Sequence, residues 1–218
     1  MQWAREFSGE LNVPRVWIPE KAFLEAFRED GKLSFTRSTR DGLFGLALGD
    51  HPIVNEEWNE FALPQGVNAD FVKDFTHHDD WQTHALATRS MSYDIEPLED
   101  DEFITAFLAE YAPRSSALPG NPEIDLWGCV RGDDGEIASV AAISEWESGE
   151  KMISSVATRA DVRGRGYAQK VCTGLVGLAY DRGIERLHLV VLSNNNPAIR
   201  AYEKIGFGVI GKFATYSK

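Results

Sequence analysis

Arg163-Gly-Arg-Gly-Tyr-Ala168, the amphipathic run behind it, Leu187-His-Leu-Val-Val-Leu192 and Asn194-Asn-Asn-Pro-Ala-Ile-Arg-Ala-Tyr202 form the stretch that decides the fold. Met152 to Thr158 leads into it as a strand, and the glycine-rich turn opens a helix whose inward face is Val171, Cys172, Leu175, Leu178 and Ala179. A helix N-terminus carries unpaired N–H groups and the positive end of the dipole. Glycines at 164 and 166 let an anion approach that backbone, and Arg163 and Arg165 add charge. By itself the turn serves equally well as a tight strand-to-helix connection. Its spacing is neither the three-glycine dinucleotide fingerprint nor a P-loop. A second helix follows the apolar strand: Asn196 is placed to cap it, Pro197 fits its first position, and Gly206 stops it. Tyr202 falls on the face of Ala198 and Ile205, as a packed core residue or as an acid beside a leaving group.

Two motifs in this order and separation carry a resemblance. Arg163-Gly-Arg-Gly-Tyr-Ala168 is similar to the Gln/Arg-x-x-Gly-x-Gly/Ala signature of the GNAT (GCN5-related) N-acetyltransferase superfamily. Asn195-x-x-Ala198-x-x-x-Tyr202-x-x-x-Gly206-Phe207 resembles the motif that follows it there, and the likeness spans roughly residues 91–213. It implies an α/β (α+β) fold with a mixed, mostly antiparallel sheet flanked by helices. It also implies an acyl-CoA site between the diverging strands Met152–Thr158 and Leu187–Leu192. The pantetheine would pair with Val156, Ala157 and Thr158, and a backbone N–H near Val156 would polarise the thioester. The pyrophosphate would rest on the amides of Arg163, Gly164, Arg165, Gly166, Tyr167 and Ala168, and Asn195 would hold the distal arm. Tyr202 would protonate the leaving thiolate. The expected activity is acetyl transfer from acetyl-CoA to a primary amine of a small molecule or peptide, directly in a ternary complex. The alternative is a non-catalytic acyl-CoA-binding sensory or interaction module.

Amine attack needs a proton acceptor, because an alkylamine is mostly protonated at neutral pH. Glu145 and Glu147 are the candidates, although three carboxylates in Glu145 to Glu150 also read as a solvated turn. His188 alternates with apolar residues and reads as structural. The tail Gly211-Lys-Phe-Ala-Thr-Tyr216 resembles the FR47-like branch, which carries an extra N-terminal segment. With eleven residues after Phe207, the final strand is expected to be short or absent, its edge completed by the N-terminal region or by a partner subunit in a homodimer.

Upstream of the motifs, Asp100 or Asp101 caps a helix bearing Phe103, Ile104, Phe107, Leu108 and Tyr111, and Pro113 ends it. Ile124–Arg131 and Ile137–Trp146 form a hairpin around Gly132-Asp-Asp-Gly135. Ala85–Pro97 reads as a strand with Met91, Tyr93 and Ile95 on one face, and a domain boundary is placed at residue 88. Residues 89–218 are then the acetyltransferase domain. Residues 1–88 are an extra α/β region, either a degenerate half of the same fold or a substrate cover. In it a helix is expected from Glu20 to Gly31, a hairpin over Leu33–Arg37 and Leu43–Leu48, and a short helix over Ala69–Phe75. His77-His-Asp-Asp80 reads as a polar loop rather than a metal site. Trp58, Phe61, Phe75 and Trp81 are expected to cover the acceptor side of the cleft.

Composition bounds the rest. A 43% hydrophobic content over 218 residues supplies a full core, and no eighteen-residue apolar run or signal segment is present, so a cytoplasmic protein without membrane contact is expected. The net charge of −12 argues against nucleic acid and slightly favours a cationic acceptor. It splits into −6 before residue 91 and −6 after, so charge marks no boundary. Cys129 and Cys172 have no metal or disulfide spacing.

Overall fold

The computed structural model describes residues 15–17, 23–29, 32–39, 42–48, 54–67, 73–146 and 148–218. Among these residues eleven strands make one sheet: β1 (Phe23–Glu29), β2 (Lys32–Thr39), β3 (Gly42–Leu48), β4 (Glu60–Pro64), β5 (Thr76–Ala87), β6 (Glu96–Pro97), β7 (Ile124–Arg131), β8 (Ile137–Glu145), β9 (Lys151–Thr158), β10 (Arg186–Leu192) and β11 (Gly208–Ser217). Their order is β1-β2-β3-β4-β11-β5-β10-β9-β8-β7-β6. Only β3–β4 and β9–β10 pair in parallel. Three helices flank it: α1 (Asp101–Tyr111), α2 (Tyr167–Asp181) and α3 (Asn196–Ile205). This is the mixed, mostly antiparallel α/β architecture expected from the sequence.

In the motif-bearing half each face of the sheet has its own core. Val130, Ala141, Ile143 and Ile153 meet Val171, Cys172, Leu175 and Val176 of α2 on one side. On the other, Ile104, Phe107 and Leu108 of α1 meet Trp127, Cys129, Val140 and Ala157. Asp100 caps α1, its carboxylate accepting from the Phe103 N–H at 2.9 Å. Helix α2 buries Val176 in place of the expected Leu178, because Gly174 and Gly177 lie against the segment before β6. A Cβ at 174 would fall 2.0 Å from Ile95, and one at 177 would fall 2.4 Å from Tyr93. That packing explains a correction: Met91 to Ile95 is irregular chain laid on α2, and the strand expected at Ala85–Pro97 is instead β5, which ends at Ala87.

The other half differs more from expectation. Phe23–Glu29 is a strand paired with β2, where helical spacing had predicted a helix. Tertiary pairing overrides a short apolar periodicity of that kind. The β2–β3 hairpin forms as expected. Of the helix expected at Ala69–Phe75, residues 68–72 lie outside the described residues, and Lys73 and Asp74 form a turn. His77 to Asp80 is strand, not loop. The final strand is neither short nor absent, since β11 runs ten residues. Between it and β10 lies β5, antiparallel to both, so the N-terminal region fills the interior of the sheet.

Candidate active site

β9 and β10 pair only at Met152 and His188, then part toward their C-terminal ends. At the parting point β9 carries a bulge: Val140 pairs with Ala157 and Ala142 with Ser154, leaving Ser155 and Val156 opposite the single residue Ala141. Ser155 takes φ 49°, the left-handed region a side-chain-bearing residue seldom occupies. Its hydroxyl donates to the Ala117 carbonyl at 2.6 Å, which holds the kink and ties it to the loop after α1. A bulge of this kind takes backbone groups out of the ladder and aims them elsewhere. Val156, Ala157 and Thr158 follow it along β9, with Ala157 and Thr158 back in register with Val140 and Ser139.

The gap runs out onto the glycine-rich turn. Gly164 and Gly166 both adopt positive φ, 78° and 86°, and a Cβ at either would meet nothing within 4 Å. Gly166 is the N-cap of α2 and no side chain caps the helix, so no capping group takes up its first-turn N–H groups. Those are the properties an anion cradle needs. Arg163 has a second duty: its guanidinium donates to the carbonyls of Thr158 and Tyr111 at 3.1 and 2.9 Å, locking the end of β9 to the C-terminus of α1. Arg159 braces the same corner through Asp161 and Asp134. Tyr167 contributes only backbone, its ring being buried with Lys170 stacked 4.7 Å above it.

Across the gap, Asn195 and not Asn196 caps α3, its side-chain oxygen accepting from the Ala198 N–H at 3.3 Å. That commits Oδ1 and leaves Nδ2 as the atom through which Asn195 could serve a cofactor. Tyr202 is buried beside Phe207, with ring centroids 6.3 Å apart. Burial, with the nearby Cys172 second, pushes its phenol far above the ordinary value, so it stays protonated. Burial also pushes the Cys172 thiol up to about 12, which makes it an inert core group. Glu145 ends β8 in a 2.9 Å ion pair with Lys151, which Asp125 also holds at 2.6 Å. Glu147 lies outside the described residues.

The sequence model of the Acetyltransferase (GNAT) family matches residues 84–207, more than half of the chain. The chain belongs to the GNAT acetyltransferase family. A curated relative, an uncharacterized N-acetyltransferase named YsnE from Bacillus subtilis (strain 168), is 33% identical over 99 residues. That match takes in 44% of this chain and only 64% of the relative's length. A putative GNAT acetyltransferase from Novosphingobium aromaticivorans superposes with a TM-score of 0.58 over 72% of this chain and 71% of that one, at 22% identity. GCN5-related proteins from Kribbella flavida and Streptococcus suis extend over 99% and 100% of this chain and 95% and 99% of their own, with TM-scores of 0.60 and 0.58. They are 15% and 17% identical, which speaks to the fold alone. The first of the family's matched residues lie inside β5, so the family match itself reaches into the strand at the centre of this GNAT sheet.

Several residues near the GNAT cleft were not singled out from sequence. Trp17, from the 3-10 turn Arg15–Trp17, donates its indole N–H to Thr83 at 2.7 Å and meets Trp146 and Phe213 at 5.7 and 4.7 Å. Of the aromatics expected to cover the acceptor side, only Trp81 flanks a cleft strand, opposite Leu192. Trp58, Phe61 and Phe75 build a separate core with Ala47 and Leu63. The loop Pro113–Pro122 is anchored to β5 by Arg114 on Asp79 at 2.6 Å. Among the described residues no three His, Cys, Asp or Glu side chains gather as a metal site, and no helix is long and apolar enough to cross a membrane.

Proposed function

We propose that this protein is an acyl-CoA-dependent N-acyltransferase moving acetyl from acetyl-CoA to a primary amine, by direct attack in a ternary complex. The observation that carries it is the alignment of the kinked, parting strand β9 with an uncapped helix N-terminus at its end. A pantetheine chain needs an extended backbone edge, and a pyrophosphate needs unpaired N–H groups. Here a single passage offers both in that order. Val156 to Thr158 take the pantetheine, the amides of Arg163 to Ala168 take the pyrophosphate, and Asn195 steadies the distal arm. The N–H at the bulge polarises the thioester carbonyl as an oxyanion donor does. Tyr202 remains a proton donor for the departing thiolate.

Acceptor identity lies with the loop Pro113–Pro122 and the aromatic face around Trp17, Trp81 and Trp146. The net charge of −12 favours a cationic amine there. Calorimetric binding of acetyl-CoA, followed by an amine screen read out as free thiol, tests the reading. Gly166→Asp sets a carboxylate where the pyrophosphate belongs and should weaken acetyl-CoA binding at least tenfold. Gly166→Ala should lose about 1–2 kcal/mol of stability to its φ, and much less of its binding. Equal binding by wild type and Gly166→Asp would place the anion elsewhere. Binding without turnover of any amine would favour a sensory module.

A further inference from the structure

Among the described residues, three buried side-chain atoms have no hydrogen-bond partner: His84 Nδ1, His188 Nδ1 and Ser193 Oγ. Two of them bracket the same strand wall, at the start and just past the end of β10. An orphaned buried polar atom is costly and calls for an explanation, a catalytic role or a bound water among them. His188 is only 4% exposed and stands opposite Met152 and Ala85, at the point from which β9 and β10 diverge. It shares a sheet face with Met152, whose neighbour along that face is Ser154, hydrogen-bonded to Ser144 at 2.7 Å. Glu150, in the turn before β9, brings a carboxylate oxygen to 3.9 Å from His188 Nδ1.

We propose that His188, backed by Glu150, is the terminal acceptor of the proton that the amine loses during acyl transfer. This rests on the acyltransferase reading above. The amine nitrogen forms its bond to the thioester carbonyl carbon, the C–S bond breaks, and the ammonium proton passes through water to the Nδ1 lone pair. The imidazolium then faces the Glu150 carboxylate, while Tyr202 supplies the separate proton that the thiolate takes. Met152 lies four residues before Val156, a span of about 13 Å at strand rise, so the proton must travel by water. Glu145, ion-paired to Lys151, is not needed for this step.

His188 must be neutral to act. Burial lowers its pKa from 6.5, while the Glu150 charge and the Lys151 backbone oppose that and Arg186 adds to it. Across the sheet it stands opposite Ala85 on β5 and Met152 on β9, neither of them titratable. With an amine acceptor found by thiol release, kcat in wild type should therefore fall in acid on a limb below pH 6.5. His188→Gln should lower plateau kcat about 100-fold and abolish that limb, with acetyl-CoA affinity unchanged. Glu150→Gln, at a partly exposed site that tolerates change, should move the limb to lower pH. Wild type that binds no acetyl-CoA would overturn the acyltransferase reading and this inference with it. Wild-type turnover with the limb unmoved in Glu150→Gln, or kept in His188→Gln, would overturn this inference alone.

Discussion

The two halves of the sheet are built on different principles. Beyond β10 the sheet is sandwiched by helices, and its strands β9 and β10 are pulled apart to make a slot. On the far side of β11, strands β2 to β4 are packed by aromatic side chains. Trp58 lies on the bare backbone of Gly45, where a Cβ would stand 2.1 Å from its ring, and Phe61 stacks on Tyr216. One half gives up ladder hydrogen bonds where β9 and β10 part, and the other keeps its ladder and fills both faces. The first half is tied to the second through β5, which pairs with β10 on one side and β11 on the other. The largest predicted effect follows from that dependence. A chain beginning at Thr88 lacks β5, leaving β10 and β11 with unpaired edges in the middle of the sheet. It should fail to give a soluble, cooperatively unfolding protein. A stable monomer with acetyl-CoA affinity intact would show the two halves to be independent.

A smaller but still large loss is expected at Trp58, which is 1% exposed and donates its indole N–H to Thr36 at 2.9 Å. Trp58→Ala should cost about 3–5 kcal/mol in denaturant unfolding. If the halves unfold together, tryptophan fluorescence and far-UV circular dichroism will give one midpoint. Two separated transitions would break the coupling argued above.

Legibility from sequence followed the same division. In the slot-bearing half, special backbone conformations demand special residues. Glycines at 164, 166 and 206 take positive φ, and the Asn-rich stretch before Pro197 caps α3, so the chemistry is written as punctuation. Even there the exact cap is not legible, since Asn195 and Asn196 are equally good caps by composition and the structure uses Asn195. In the other half nothing but packing selects the structure. Phe23, Phe27 and the residues between them suit a helical stripe as well as a strand, and only pairing with β2 decides. The polar run His77 to Asp80 reads as loop because this end of β5 pairs with β11 alone, beyond the last residue joined to β10, and is exposed enough to need no apolar signature. His188 was read as a core residue, and its burial agrees. What sequence could not reveal is that Nδ1 lacks a partner, which is a property of the neighbours rather than of the residue.

Tyr202 offers the reverse of Trp58: little stability and much rate. Its hydroxyl makes no hydrogen bond among the described residues, so Tyr202→Phe, which keeps the packed ring, should change unfolding free energy by less than about 0.5 kcal/mol. Loss of the proton donor should lower kcat about 100-fold. A large stability loss with kcat unchanged would move Tyr202 from the slot to the core.

The smallest effect expected belongs to His84, on the strand that joins the two halves. It is fully buried, with Nε2 on Gln82 at 3.2 Å. Burial lowers its pKa below 6.5, against the Glu203 charge and the Phe207 backbone, with Lys212 lowering it further. The unfolded chain therefore binds the proton more readily than the folded one. Stability contributed by the neutral ring is complete above pH 6.5 and is lost as pH falls toward the depressed folded value. His188 adds a contribution of the same sign from the neighbouring strand. Melting temperature should therefore decline between pH 7.5 and pH 5.5, and His84→Gln should flatten part of that decline while leaving the His188 share. Because β5 borders both β10 and β11, the flattening should appear in probes of both halves alike; if it is confined to one, the sheet does not transmit as a unit.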